Sequence, residues 1–135
     1  MKEEFLNDLA ENVYCRVGVS KIQGVGVIAM RPIPANINPM KEMVECEYVE
    51  IPVAEIDALN LTPAVRKLVV DMCPENDGIF EVPSWGLNGI NVSWYLNHSD
   101  NPNMREEDGY FFTLRDIEAG EELTVFYDTY SKRNL

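Results

Sequence analysis

The residues best suited to chemistry crowd into Trp94-Tyr95-Leu96-Asn97-His98-Ser99-Asp100-Asn101-Pro102-Asn103, which holds the only histidine of the chain, three asparagines and two aromatics. The stretch is too polar for a core strand and too aromatic for a plain surface loop. His98 has no cysteine or carboxylate at a spacing that would make it a metal ligand. Ser99 adjoins it, but sequence neighbours rarely adopt triad geometry. Asp100 to Asp108 fails as a calcium loop, because Pro102 takes a ligand position and the central glycine is missing. His98 on its own therefore reads either as a satisfied structural histidine or as part of a ligand site. A second set is Tyr127 and Tyr130, with Tyr95 and Tyr110 upstream. Their faces attract an ammonium or a sulfonium, and their hydroxyls can orient an amine. Half-buried sheet tyrosines would look the same. A third is Gly24-Val25-Gly26. It lacks the last glycine of a dinucleotide fingerprint, and it reads either as a hairpin turn or as backbone that a ligand approaches closely.

The elements that must position these residues are mostly short strands. Residues 2–12 predict a helix with Phe5, Leu6 and Leu9 on one face and acids in its first half. Strands are predicted over 13–19, over 24–30 after the turn at 20–24, and over 44–51, the last with one wet, acidic face. Pro32 and Pro34 make 31–36 a loop. A short helical turn at 53–59 precedes a helix capped by Thr62-Pro63, with Val65, Leu68, Val69 and Met72 at helical spacing and Pro74 as its stop. Residues 79–83 extend into a turn at 85–89. Strands at 109–115 and 123–127 flank the turn at 116–121. The fold class is mainly β with a small helical insert.

Hydrophobic residues make up 46% and charged residues 25% of the 135, enough for one domain with a real core. No apolar run approaches the roughly 20 residues of a membrane span. The start of the chain does not resemble a signal peptide, so intracellular residence is expected. Cys15, Cys46 and Cys73 form no CxxC pair, which argues for reduced thiols and against a zinc knuckle. The net charge of −12 repels phosphate backbones. It either serves solubility alone or attracts a Lys/Arg-rich protein.

Taken in order, these pieces resemble the SET-domain family of protein lysine methyltransferases. Gly24-Val25-Gly26-Val27-Ile28-Ala29-Met30-Arg31-Pro32-Ile33 is similar to the family's G-x-G opening and its A-x-R-x-I run. Tyr95-Leu96-Asn97-His98-Ser99-Asp100-Asn101-Pro102-Asn103 resembles its N-H-S-x-x-P-N signature. Arg115-Asp116-Ile117-Glu118-Ala119-Gly120-Glu121-Glu122-Leu123-Thr124-Val125-Phe126-Tyr127 resembles its R-D-I-x-x-G-E-E-L-T-x-x-Y ending.

The resemblance implies one SET domain over 1–135: a helix to 12, a β part over 13–51, a variable insert over 52–90 and a pseudoknot part over 91–130. It implies a β-clip-like fold of short twisted sheets, in which the chain end passes under an earlier loop. S-adenosylmethionine is the implied methyl donor, with no metal, and a lysine of a basic protein such as a histone tail is the implied acceptor. Gly24, Val25, Gly26, Asn97 and His98, with Tyr95, are expected at the donor. Tyr127 is expected as the catalytic tyrosine. Tyr130, Tyr95, Tyr110 and Phe126 are expected around the lysine channel. The family's cysteine-rich roof after the last tyrosines has no counterpart here, and its usual cysteine after N-H-S is Asp100. The usual glycine after A-x-R-x-I is replaced around Asn36. A roof would come from the N-terminal helix, a second subunit in a homodimer, or an ordered peptide. The alternative reading is a non-catalytic SET-like module that binds basic tails. The resemblance implies residence in the nucleus, at chromatin, in a eukaryotic or viral setting and in the cytoplasm in a bacterial one.

Overall fold

The structure, a computed structural model, describes residues 1–129 and 131. In chain order its elements are α1 (Lys2–Glu11), β1 (Cys15–Val19), β2 (Val25–Ala29), β3 (Tyr48–Pro52), α2 (Val53–Asp57), α3 (Pro63–Met72), β4 (Glu75–Asn76), β5 (Ile79–Pro83), β6 (Asn97–His98), β7 (Met104–Glu107), β8 (Tyr110–Thr113) and β9 (Glu122–Val125). Single 3-10 turns occupy Leu87–Gly89, Val92–Tyr95 and Tyr127–Thr129. The chain forms two compact units, one from Met1–Val44 with Val92–Phe126, the other from Glu45–Asn91 with Tyr127–Leu135.

The first unit carries a four-stranded sheet in the order β1-β2-β9-β6. β1 and β2 are antiparallel, with Arg16 opposite Ile28 and Gly18 opposite Gly26. β9 joins β2 antiparallel, pairing Ile28 with Glu122. β6 joins β9 parallel, pairing Asn97 with Thr124 and His98 with Val125. Side chains alternate across a strand and paired residues share a face. One face therefore presents Cys15, Val27, Ala29, Leu123 and Val125, all buried. The other presents Arg16, Gly18, Gly26, Ile28, Glu122 and Asn97. Ile33, Met104 and Ile117 complete the core. Ile33 and Ile117 exchange both backbone hydrogen bonds at 2.8 Å, which ties the proline loop at 31–36 to the turn before β9.

In the second unit β5 is central between β3 and β4. Phe80 pairs with Ile51 on one side and Glu75 on the other, and is buried with Cys73, Val69 and Ile56. The predicted cap is present: the Thr62 hydroxyl accepts from the Val65 N–H at 3.4 Å, with Pro63 at the first helical position. Cys73, held extended before Pro74, ends α3.

Four expectations need correction. The strand predicted from residue 44 begins at Tyr48, and Tyr48 and Val49 are both exposed. β3 is an edge strand, so its alternation does not mark one wet and one dry face. On α3, Val69 is buried while Val65 and Leu68 are exposed, which narrows the predicted apolar stripe. β7 was missed, although Asp108 and Gly109 both have positive φ (53° and 85°) and close its hairpin with β8. Asn97 and His98, in a stretch read as too polar for a core strand, form the half-buried β6. Their polarity is compatible with a sheet because the Asn97 amide bonds to neighbouring backbone and polar groups and the His98 ring bonds to Asp100.

Candidate functional site

The site grows from a turn, a two-residue strand and the start of β9. The turn closes with the Ser20 N–H donating to the Gly24 carbonyl at 2.9 Å. Gly24 sits at φ +52°, and a Cβ there would meet nothing within 4 Å. Glycine is favoured at this position by conformation rather than by crowding. Gly26 is the opposite case. A Cβ there would lie 2.5 Å from Glu122 Oε2 and 3.0 Å from Asn97 Nδ2. The second glycine, itself buried, therefore makes room for two side chains of the same unit.

Asn97 Nδ2 lies 3.0 Å from the Val25 carbonyl, 2.9 Å from Glu122 Oε2, 3.0 Å from Ser20 Oγ and 3.3 Å from the Gln23 carbonyl. An amide nitrogen has two hydrogens, so four acceptors around it fix which end of the side chain is nitrogen. Oδ1 is left as the acceptor for a ligand. The Ser20 hydroxyl donates to Glu122 at 2.7 Å from Oε1 and 2.9 Å from Oε2, and accepts from the N–H groups of Ile22 and Gln23. Glu122 is half-buried, and no lysine or arginine among the described residues comes within ion-pair distance of it. A carboxylate held by neutral donors in such a place suits a cationic ligand.

His98 is anchored at both ends of its ring. Nε2 is 2.8 Å from Asp100 Oδ1, and the ring centroid is 5.0 Å from that of Phe126. Asp100, which replaces the family's usual cysteine, thus has a partner. The Ser99 N–H donates to the Val125 carbonyl at 3.0 Å. Asn103 completes the arch: its Nδ2 donates to the Glu122 carbonyl at 2.9 Å and its Oδ1 accepts from the Thr124 N–H at 2.8 Å. This buried side chain acts as a piece of backbone, so the loop from 97 to 103 embraces β9.

The turn before β9 is fixed by charge. Arg115 Nη2 is 3.0 Å from Glu121 Oε2, and the Glu118 N–H donates to Glu121 Oε1 at 3.0 Å. Arg115 and that N–H hold the Glu121 carboxyl below its ordinary pKa.

Of the predicted site residues, the first unit brings Gly24, Val25, Gly26 and Asn97 together and places His98 against Phe126. Tyr95 lies half-buried in a 3-10 turn packed on β2 and β1. Tyr110 is exposed on the β7–β8 hairpin, opposite Glu107, and not on the sheet that carries Asn97. Tyr127 opens a 3-10 turn assigned to the second unit and is 38% exposed. Tyr130 lies outside the described residues. Sequence reasoning gave no role to Ser20, Glu122 or Asn103. The available signal was Glu122 itself, an acid at the head of a strand whose next residues are core.

A scan against protein-family models matches the SET domain over residues 24–128. The chain belongs to the SET-domain family. Its fold is also that of solved SET-like structures. A Plasmodium falciparum protein described as a candidate histone methyltransferase superposes with a TM-score of 0.50 at 21% identity, over 85% of this chain and 93% of that one. At that identity the likeness is one of fold. A search of the curated proteins returns no match. In this SET domain the loop from 97 to 103 is bonded to β9 through Ser99 and Asn103. Asn36, where the family's glycine is replaced, has φ +63°, a conformation that asparagine tolerates better than most residues.

Proposed function

We propose that this SET domain transfers a methyl group from S-adenosylmethionine to a lysine side chain of a basic protein, a histone-like tail being the natural class. The observation that carries the proposal is the Asn97–Glu122 pair beside Gly24–Gly26. Among the described residues, a half-buried carboxylate without a cation and an amide oxygen without a partner fit the positively charged donor. The backbone of the Gly24–Gly26 segment, exposed at Gly24 and Val25, with Asn97, His98 and Tyr95, would hold that donor. When bound, it supplies an electrophilic methyl group on a sulfonium.

What the chain itself must do is position and desolvate. Asn97 Oδ1 and the Glu122 carboxylate attract the donor's charged end. His98, pinned by Asp100 and Phe126, fixes the strand from which Asn97 projects. Tyr127 supplies a hydroxyl that orients the amine lone pair. A free lysine amine has a pKa near 10.4, and a nearby positive charge favours its neutral, attacking form. The net charge of −12 draws in a basic substrate. Phe126 and Tyr130 would limit the room around the methylated nitrogen.

The test is calorimetric donor binding followed by transfer of labelled methyl groups to a panel of basic proteins. Asn97→Ala should abolish donor binding. Tyr127→Phe should keep it and lower turnover by about 10²-fold, typical for loss of one oriented donor. Failure of the wild-type protein to bind the donor would overturn the reading. Salt-sensitive binding of basic tails that ignores the donor would replace it with the non-catalytic module.

A further inference from the structure

The side chain that ties the candidate site into one piece is Ser20, to which the proposed chemistry gives no part. It is half-buried where β1 runs into the turn at 20–24. Its Oγ accepts the N–H groups of Ile22 at 2.9 Å and Gln23 at 3.1 Å, the pattern of an ST-turn. Asn97 Nδ2 approaches the same oxygen at 3.0 Å. With N–H groups on its lone pairs, the hydroxyl has one direction left for its single proton. That direction is Glu122, whose carboxylate oxygens lie at 2.7 and 2.9 Å. The local turn therefore aims the hydroxyl, and the hydroxyl reaches an acid 102 positions away in sequence.

Glu122 depends on such a hold. Its carboxylate lies in space that Gly26 leaves open, since a Cβ there would stand 2.5 Å from Oε2. A glutamate side chain has much rotamer freedom to lose, so hydrogen bonds must keep it in place. Among the described residues those bonds come from the Ser20 hydroxyl and from Asn97 Nδ2, at 2.9 Å from Oε2. Loss of the one hydroxyl would remove a bond from the carboxylate and a contact from the Asn97 amide together. The turn itself has less to lose. Ile22 and Gln23 are exposed, and water can take the place of the hydroxyl on their N–H groups.

We propose that Ser20 is a positioning residue for S-adenosylmethionine binding: its hydroxyl sets the Glu122 carboxylate and the Asn97 amide in the arrangement that receives a cation. The assignment rests on the methyl-transfer reading. It gives the turn at 20–24 a role through a side chain as well as through its backbone. Ser20 acts through Glu122 and Asn97, not by contact with the ligand.

Calorimetry with S-adenosylmethionine tests it on the whole chain, with a thermal melt to confirm that each variant is folded. Ser20→Ala should weaken binding about tenfold, the scale of one charge-assisted hydrogen bond. Ser20→Thr keeps the hydroxyl and should bind as the wild type does. Because Ser20 acts through Glu122, Ser20→Ala combined with Glu122→Gln should lose well short of the roughly 100-fold that independent sites would give. NMR without ligand supplies a second readout. The Asn97 side-chain N–H pair, assigned by its absence in Asn97→Ala, should exchange with water faster in Ser20→Ala, while the backbone amides of β1 and β2 keep their protection. A serine that only supports the fold would loosen all of them together. Wild-type affinity in Ser20→Ala, Ser20→Thr as weak as Ser20→Ala, a full 100-fold loss in the double variant, or an unchanged Asn97 pair would each overturn the assignment and leave the methyl-transfer reading standing. A wild-type chain that binds no S-adenosylmethionine would overturn both.

Discussion

Glu122 and Asn103 show how a side chain can be structural and site-forming at once. Glu122→Gln keeps the size and one acceptor oxygen but removes the charge that would face a cationic donor. We expect donor affinity, read by calorimetry, to fall by about tenfold, the scale of one charge-assisted hydrogen bond. The melting temperature should change little, because Ser20 can still donate to the amide oxygen. Gly26→Ala is the complementary test. Its Cβ would enter within 2.5 Å of that carboxylate, so the side chain must shift, and overpacking of this kind costs about 1–3 kcal/mol. Urea denaturation should show that loss together with weakened donor binding. Asn103→Ala leaves the Glu122 carbonyl and the Thr124 N–H without their partner. At about 1–3 kcal/mol for each buried group left unsatisfied, it should be among the most destabilising single changes in the first unit. Asn97 and His98 were legible from the order of their motif. Ser20 was not, because nothing in the sequence brings position 20 to position 122.

At the level of elements, legibility followed the strength of local chemistry. The Thr62-Pro63 start and the Pro74 stop were readable because each acts on its own backbone, and α3 spans Pro63–Met72 as its caps dictate. β2 was readable because nearly every residue in it is apolar, and β9 because apolar Leu123 and Val125 alternate with polar Glu122 and Thr124. β7 was not: Met104-Arg105-Glu106-Glu107 has neither alternation nor β-branching, and only its cross-strand partners in β8 make it a strand. The readable clue lay in its turn. Asp108-Gly109, like Asp77-Gly78, is a dipeptide that accepts two successive positive φ angles. Gly109→Ala should therefore destabilise the hairpin by about 1–2 kcal/mol through conformational strain alone, since a Cβ there meets nothing within 4 Å. Hydrogen exchange should locate the loosening in β7 and β8 while β1 and β2 keep their protection. Uniform loss across the unit would instead show that the hairpin is a cooperative part of the core. The two-residue β6 lies below what any pattern could reveal. It exists because β9 offers a free edge and Asn97, Ser99 and Asn103 bond to what they find there.

For the whole molecule, composition indicated a single acidic, thiol-bearing chain but could not show that residues 45–91 form a compact unit with the chain's final segment. That arrangement depends on contacts far apart in sequence, which periodicity does not report. Each unit has one buried thiol, and this makes the pair useful probes. Burial pushes Cys15 and Cys73 from 9.0 up to about 11, whereas Cys46 is only partly covered. A thiolate is the reactive form. At mildly alkaline pH, iodoacetamide should therefore label Cys46 first, and mass spectrometry should find Cys15 and Cys73 protected until their unit opens. The same shifts set a pH dependence. Below pH 9 the thiols are protonated in both folded and unfolded chains and contribute no difference. Between pH 9 and about 11 the unfolded chain loses these protons while the folded chain retains them, so the folded state binds more protons and stability falls as pH rises. The urea midpoint should decline across that interval. In Cys15→Ala and Cys73→Ala the decline should be shallower, each substitution acting on its own unit. If alkylation of Cys15 and Cys73 tracks the two units with different urea midpoints, the units unfold separately. If the midpoints coincide, the chain unfolds as one cooperative body despite its two cores.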